Sequence, residues 1–232
     1  MNVLAIDTSN QLLGVAVSSN GEIKAEYTAN VKRNHSIGLL PAVDYVMNQA
    51  GLSPDQLDRI AVAKGPGSYT GVRIGLATAK TMAWTLQIPI MAISSLALVA
   101  HNARYANMIV SPFFDARRGL VYTGLYEYKQ GHLQELTEDQ NILMEQWLED
   151  LKQRGEHVLF LSQDLDKHQG LIKEKLGDYA HFPFAVDNLP RPGVLALLAA
   201  NYQESQVHEL TPNYIRMVEA EANWLKEQEK NV

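Results

Sequence analysis

The strongest constraint on this sequence is that its pattern of apolar runs occurs twice in the same order. Residues 2–6 (NVLAI) run apolar into Asp7, and residues 108–114 (MIVSPFF) run apolar into Asp115. After Asp7, 12–18 (LLGVAVS) reads as a second strand. Asn20-Gly21 is a hairpin turn, because both residues accept positive φ. Ile23, Ala25 and Tyr27 then alternate with Lys24 and Glu26, the period of a half-buried strand. Ile37, Leu40, Val43 (or Asp44), Met47 and Ala50 fall at helical spacing, with Gly51 ending that helix. A strand at 59–63, a helix at 69–86, a strand at 88–93 and a helix capped by Ser94 or Ser95 complete the first half. After Asp115 come a strand in LVYTGLYEY, a turn at Gln130-Gly131, an alternating HLQEL, a helix at 143–153 and a strand at 158–162. Helices at 166–176 and 192–203 close the second half.

Three strands in a meander followed by helix–strand crossovers build a mixed sheet with helices on both faces. Two such halves in tandem make two lobes with a cleft between them. The order resembles that of the actin-like ATPase (ASKHA) superfamily, and implies an α/β fold of two tandem ribonuclease-H-like lobes. The boundaries expected are 1–105 for an N-terminal lobe with partner-binding helices, 106–203 for a C-terminal lobe, and 204–232 for an extension packing back on a lobe or a partner. A single larger α/β sheet is the alternative.

Composition narrows the chemistry. The 232 residues are 46% hydrophobic and 20% charged, a globular proportion. There is no cysteine, which removes disulfides, thiolate zinc sites and a Cys nucleophile. The start, MNVLAIDTS, lacks a basic n-region, and no apolar stretch reaches the ~20 residues of a membrane helix, so a soluble cytoplasmic chain without membrane contact is expected. Twenty Lys+Arg against 26 Asp+Glu give a net charge of −6. Such a chain repels nucleic-acid phosphates at long range. Nucleic-acid binding by the chain alone is therefore expected to be weak, with Arg117, Arg118, Lys32 and Arg33 as a local basic patch.

In the superfamily, the hairpin after the early aspartate wraps phosphates, usually with a glycine close behind. Here Asp7-Thr8-Ser9-Asn10 and Asp115-Ala116-Arg117-Arg118 both lack it. A Cβ obstructs the approach of backbone N–H groups to phosphate oxygens. Asp7 and Asp115 are therefore expected to hydrogen-bond the turns beside them, and ATP hydrolysis is not expected. Asp7, Thr8, Ser9, Gly67 and Ser68 remain candidates for a vestigial nucleotide surface. GPGSYTG (65–71) joins a strand to a helix whose cap is Ser68 or Thr70, and it reads equally as an anion site or a tight turn. It lacks the Walker lysine, and Pro66 and Thr70 stand where a nucleophile elbow needs glycines. The seven histidines include no i,i+3 or i,i+4 pair, so there is no H-E-x-x-H site and no metal centre or metallopeptidase is expected.

The helix after that loop carries Gly71, Gly75, Ala79 and Ala83, with Ala77 beside them. Residues four apart lie one above the other, so the result is a stripe almost without side chains. It suits either close packing within the lobe or a subunit interface. At the C-terminus, Glu219 and Glu221 read as a solvated face and Trp224 as an anchor for the tail.

LAIDTS (4–9), GPGSYTGVRIGL (65–76), DARRGLVY (115–122) and PNYIR (212–216) occur in this order in a chain of this length. Together they resemble the TsaB (YeaZ) family, with mild departures at Tyr69, Leu120 and Ile215. The resemblance implies a non-catalytic subunit of the complex that places a threonylcarbamoyl group on N6 of adenosine 37 in tRNAs reading codons that start with A. The implied partners are a TsaD-like catalytic subunit and a TsaE-like ATPase. ATP or ADP would sit at the complex interface or in the partners rather than firmly on this chain. The implied interface is the helix pair at about 36–50 and 69–86, with Leu40, Val43, Met47, Gly71, Gly75, Ala79 and Ala83 as its residues. A homodimer in isolation, and a homodimeric scaffold or nucleotide-binding protein without that partner, are the alternatives.

Overall fold

The computed structural model describes residues 1–30 and 35–215. Lys32, Arg33, Arg216, Glu219, Glu221 and Trp224, on which expectations were placed, lie outside the described residues. The first half comprises β1 (Asn2–Asp7), β2 (Leu12–Ser19), β3 (Glu22–Asn30), α1 (His35–Ala50), β4 (Arg59–Ala63), α2 (Tyr69–Leu86), β5 (Ile90–Ile93) and α3 (Ser95–Ala100). The second comprises β6 (Ile109–Asp115), β7 (Leu120–Lys129), β8 (His132–Leu143), α4 (Met144–Arg154), β9 (Val158–Leu161), α5 (Leu165–Leu176), β10 (Ala180–His181) and α6 (Pro192–Leu198).

The strands form two separate five-stranded sheets, ordered β3-β2-β1-β4-β5 and β10-β9-β6-β7-β8. β1 pairs antiparallel with β2 (Ala5↔Ala16) and parallel with β4 (Ala5↔Ala61). β6 repeats this, antiparallel to β7 (Phe113↔Thr123) and parallel to β9 (Val110↔Leu159). These are two tandem ribonuclease-H-like lobes of the actin-like superfamily, and a single larger sheet is excluded.

Local chemistry sets the ends. Asn20 and Gly21 (φ 52° and 81°), and Gln130 and Gly131 (54° and 82°), make the two meander turns. Ser68, not Thr70, caps α2 by accepting from the Gly71 N–H, and Ser94, not Ser95, caps α3 through the N–H groups of Leu96 and Ala97. Gly51 at φ 66° follows α1.

Strand alternation divides the cores. Leu4 and Ile6 face α1 and α2 in one cluster with Val43, Val46, Leu76 and Ala79. Val3 and Ala5 face the opposite way, into a cluster with Leu195, Ala196 and Ala199. That partner corrects the expected lobe boundary. α6, assigned by sequence order to 106–203, covers the second face of the first sheet. Gly14 on β2 lets the Pro192 ring come close, since a Cβ there would lie 3.1 Å from Pro192 Cγ. Arg191 fastens the same end to Glu26 on β3 at 3.2 Å. The exchange is reciprocal, because α3 packs Leu96, Val99 and Ala100 against Val110, Phe114 and Tyr126 of the second sheet. Each half lends its last helix to the other.

The described part of the extension returns to the first lobe. Ser205 bridges to Ile90 on the edge strand β5, and Val207 and Leu210 pack on the α1/α2 core. Lys80 Nζ donates to the Leu210 carbonyl at 2.7 Å, and the Asn213 N–H donates to the Lys64 carbonyl at 2.8 Å.

Candidate functional site

The bare stripe of α2 faces inward. Gly71 and Gly75 abut the end of β1 and the turn after it, and Ala79 and Ala83 are fully buried in the first core. A Cβ on Gly71 would fall on the Thr8 carbonyl oxygen, and one on Gly75 on Thr8 Oγ1. The hydroxyl of Thr8 donates to the Gly71 carbonyl at 2.7 Å. The stripe therefore lets α2 press onto its own sheet, and its expected role as a partner interface is corrected. Val43 and Met47 on α1 are core residues too. Of the residues expected at the interface, only Leu40 is exposed.

A cleft of about 770 Å³ separates the lobes, with Ser9, His35, Ser68 and Thr70 on one wall and Asp115, Arg117, Gln163 and Lys167 on the other. On the first wall the phosphate turn is filled by protein. The Ser68 N–H donates to the Ser9 carbonyl at 2.7 Å, and a Cβ on Gly67 (φ 158°) would collide with that same carbonyl. Of the donors at the start of α2, the Ser68 N–H is thus taken by the Ser9 carbonyl and the Gly71 N–H by Ser68 Oγ, and GPGSYTG turns tightly against residues 8 and 9.

Asp7 is fully buried, and its Oδ1 accepts from the Ser9 N–H and hydroxyl at 2.8 and 2.7 Å. Burial raises its pKa, while the Ser9 bonds and nearby His35 oppose the rise. Asp7 thus holds the turn beside it, as expected. Its Oδ2 and His35 Nε2 have no hydrogen-bond partner among the described residues. Asp115 behaves otherwise, which corrects the second half of that expectation. It bonds across the lobe to Lys167 Nζ and His168 Nε2, each at 3.1 Å. Partial burial pushes its pKa up, but the bonds and charges of His168 and Lys167 outweigh this and hold it below the usual carboxylate range. Lys167 is shared with Asp164 at 2.7 Å, so the charges on this wall largely neutralise one another. Arg117 and Arg118, both left-handed (φ 66° and 56°), form the exposed rim. Among the described residues no cluster of three or more His, Asp or Glu could hold a metal ion.

The chain matches the family model described as TsaD, tRNA N6-adenosine threonylcarbamoyltransferase, over residues 22–224. It is 48% identical to the tRNA threonylcarbamoyladenosine biosynthesis protein TsaB of Bacillus subtilis, across 98% of this chain and the whole of that protein. The chain belongs to the TsaB family. The Escherichia coli TsaB is 29% identical over 93% of this chain and 95% of its own length. Among solved structures, YeaZ from Pseudomonas aeruginosa superposes with a TM-score of 0.76 at 26% identity, covering 92% of this chain and 99% of that one.

In this TsaB-family chain two exposed apolar residues lie on the outer face of α1, while others, Trp84, Phe184 and Val186 among them, stand elsewhere on the surface. Leu39, Ala42, Val43, Val46 and Met47 are the buried stripe of that helix. Ile37 and Leu40 point the other way, 72% and 59% exposed, with Pro41 and Asp44 beside them. Tyr69, Thr70, Arg73, Ala77, Thr81, Trp84 and Thr85 make the exposed face of α2, with short side chains between Arg73 and Trp84. Arg73 is held against Tyr69, which stacks on Tyr214 at 5.3 Å. Sequence reasoning missed Ile37 because it merged two faces into one stripe. Positions 39, 42, 43, 46 and 47 follow the i, i+3, i+4, i+7, i+8 core pattern without it, and that signal alone separates Ile37 and Leu40 from the core.

Also missed was a buried polar junction between the lobes. The Ser94 hydroxyl donates to Asp139 Oδ2 at 2.5 Å, and the Tyr126 hydroxyl donates to Asp139 Oδ1. Burial raises the pKa of Asp139, and its bonds to Ser94 and Tyr126 oppose the rise. The junction ties the start of α3 to β7 and β8 and so fixes one side of the cleft. No helix among the described residues is long and apolar enough to cross a membrane.

Proposed function

We propose that this chain is a non-catalytic subunit in tRNA threonylcarbamoyladenosine biosynthesis, pairing with a TsaD-like transferase through the outer faces of α1 and α2. The observation that carries this reading is the exposure of Ile37 and Leu40 on a helix whose other face is fully used by the core. Large apolar side chains held in water on a rigid helix gain from a partner, each worth about 1.5–3 kcal/mol when fully buried. Membership of the TsaB family supplies the pathway. The close packing of 65–71 on residues 8 and 9, with the Ser68 N–H bonded to the Ser9 carbonyl, supports a supporting rather than a chemical role.

In this reading the TsaD-like partner transfers the threonylcarbamoyl group to N6 of adenosine 37 in tRNAs reading codons that start with A. A TsaE-like ATPase joins the pair, with ATP or ADP held in the partners or at the complex interface. The tRNA is reached through the complex, since the chain itself carries a net charge of −6. The test is Ile37→Asp with Leu40→Asp. Both residues are exposed, so the melting temperature of the isolated chain should hold. The dissociation constant for the TsaD-like partner should rise at least ~10-fold, the equivalent of 1.4 kcal/mol, and modified-base formation should fall with it. Unchanged affinity with a folded variant would overturn the reading. Loss of self-association, with partner affinity intact, would assign the face to a homodimer instead.

A further inference from the structure

His157 and His181 lie far apart in sequence and meet at the open edge of the second sheet. β9 begins directly after His157, and β10 pairs parallel to it with Ala180↔Val158 and His181↔Leu159. His157 therefore lies one step diagonally from His181 on the same face of the two strands. Their ring nitrogens, Nδ1 of His157 and Nε2 of His181, are 2.8 Å apart, with ring centroids separated by 5.0 Å. Tyr179 packs over His157 at 5.0 Å and limits how its ring can turn. Both imidazoles are accessible, since His157 is exposed and His181 half-buried.

We propose that His157 and His181 form a two-point site for a late first-row divalent cation, with copper(II) or nickel(II) preferred over zinc. Imidazole is a borderline ligand that suits these metals. Metal–nitrogen bonds of about 2.0–2.1 Å set the nitrogen separation. At a right angle between the bonds, as in square-planar or tetragonal geometry, the nitrogens stand about 2.8–3.0 Å apart; at the tetrahedral angle they stand about 3.3–3.4 Å apart. The observed 2.8 Å is the hydrogen-bonded separation of the metal-free pair, and it already lies within the bite of the right-angled case.

In the metal-free pair one ring N–H donates to the other nitrogen. To take up the metal, the donating ring moves that proton to its other nitrogen, so both neutral rings offer a lone pair and no net proton need be released. Among the described residues no third His, Asp or Glu completes the set, so the remaining positions belong to water. The strand pairing holds the two ligands in place beforehand, which is what makes two imidazoles bind as a chelate rather than singly. The bound ion would staple β10, a strand of two residues, to β9, its one strand neighbour among the described residues.

The experiment titrates the full chain with copper(II) chloride, nickel(II) chloride and zinc chloride in a non-coordinating buffer, by calorimetry and, for copper, electron paramagnetic resonance. The expected result is one tight copper(II) per chain with two imidazole nitrogens in its spectrum, followed in affinity by nickel and then zinc. His157→Ala and His181→Ala should each weaken binding at least ~10-fold, while His132→Ala, at the exposed start of β8, should leave it unchanged. One equivalent of copper or nickel should raise the melting temperature of the wild-type chain and not that of His157→Ala. Binding that survives both substitutions, zinc binding tighter than copper, or binding with no thermal shift would overturn the proposal. Circular dichroism of each variant separates loss of the site from loss of the fold.

Discussion

Gly75→Ala adds a single methyl group, and the structure places that methyl where there is no room. An ideal Cβ on Gly75 lies closer than 3.0 Å to Thr8 Oγ1, a separation that real Cβ atoms essentially never show, and 3.5 Å from Ile6 Cγ2. Thr8 cannot yield cheaply. It is buried, and its hydroxyl is committed to the Gly71 carbonyl one turn earlier on the same helix. Overpacking of this kind costs about 1–3 kcal/mol. If the hydroxyl is displaced, a buried donor is left unpaired at about 1–3 kcal/mol more. Against this, replacing glycine by alanine inside a helix returns about 1 kcal/mol. The net is destabilisation of about 0–2 kcal/mol if the hydroxyl keeps its bond and about 1–5 kcal/mol if it is displaced. At about 2–4 °C per kcal/mol for a chain of this size, a central value of ~3 kcal/mol in the displaced case lowers the melting temperature by ~6–12 °C. Thermal melts of Gly75→Ala, Thr8→Ala and the double variant read the coupling directly. With Oγ1 gone, Gly75→Ala should cost nothing and even recover the helix-propensity gain. Affinity for the TsaD-like partner, per folded molecule, should not change. A Gly75→Ala variant as stable as the wild type, with weakened partner binding, would refute the reasoning and return the stripe to the interface.

Two further outcomes follow from the core and from the lobe junction. Leu195→Ala, on the exchanged helix α6, should cost about 2–5 kcal/mol and accelerate amide exchange in β1 and β2; acceleration confined to the second sheet would show that α6 is misplaced. His101 is buried beside Tyr128, and burial, with the Arg104 charge second, lowers its pKa from 6.5 to about 4. The unfolded chain then binds a proton that the folded chain refuses, so stability should fall as pH drops from 6.5 towards 4, by at most ~1.4 kcal/mol per unit. His101→Gln should flatten urea-denaturation stability across that window, and an unchanged slope would count against this assignment.

The element order was legible because each half alternates its periodicity cleanly. Ile23, Ala25 and Tyr27 mark β3, and RIAVA coincides with β4 residue for residue. The turn glycines and serine caps are local signals, and local signals survive in a sequence. The helix exchange was not legible. Nothing in PGVLALL by itself distinguishes a helix lying on the second sheet from one lying on the first. The choice is made by tertiary complementarity: Gly14 admits Pro192, and Glu26 meets Arg191, contacts that join residues far apart in the chain.

The misreading of α2 has the same root and sharpens what the family's helix pair does here. A stripe of small residues records only that something comes close; it does not say whether that neighbour belongs to the same chain. On α2 the close neighbour is the turn at Thr8 and Ser9, and that turn stands where an actin-like lobe would hold a phosphate. The closeness of α2 to its own sheet and the filled phosphate turn are therefore one structural fact. Gly67, Gly71 and Gly75 let the helix and its leading loop close over residues 8 and 9, and the Ser68 N–H then bonds the Ser9 carbonyl. With the inner faces of α1 and α2 committed to the core, what remains for a partner is their outer surface, where Ile37 and Leu40 stand.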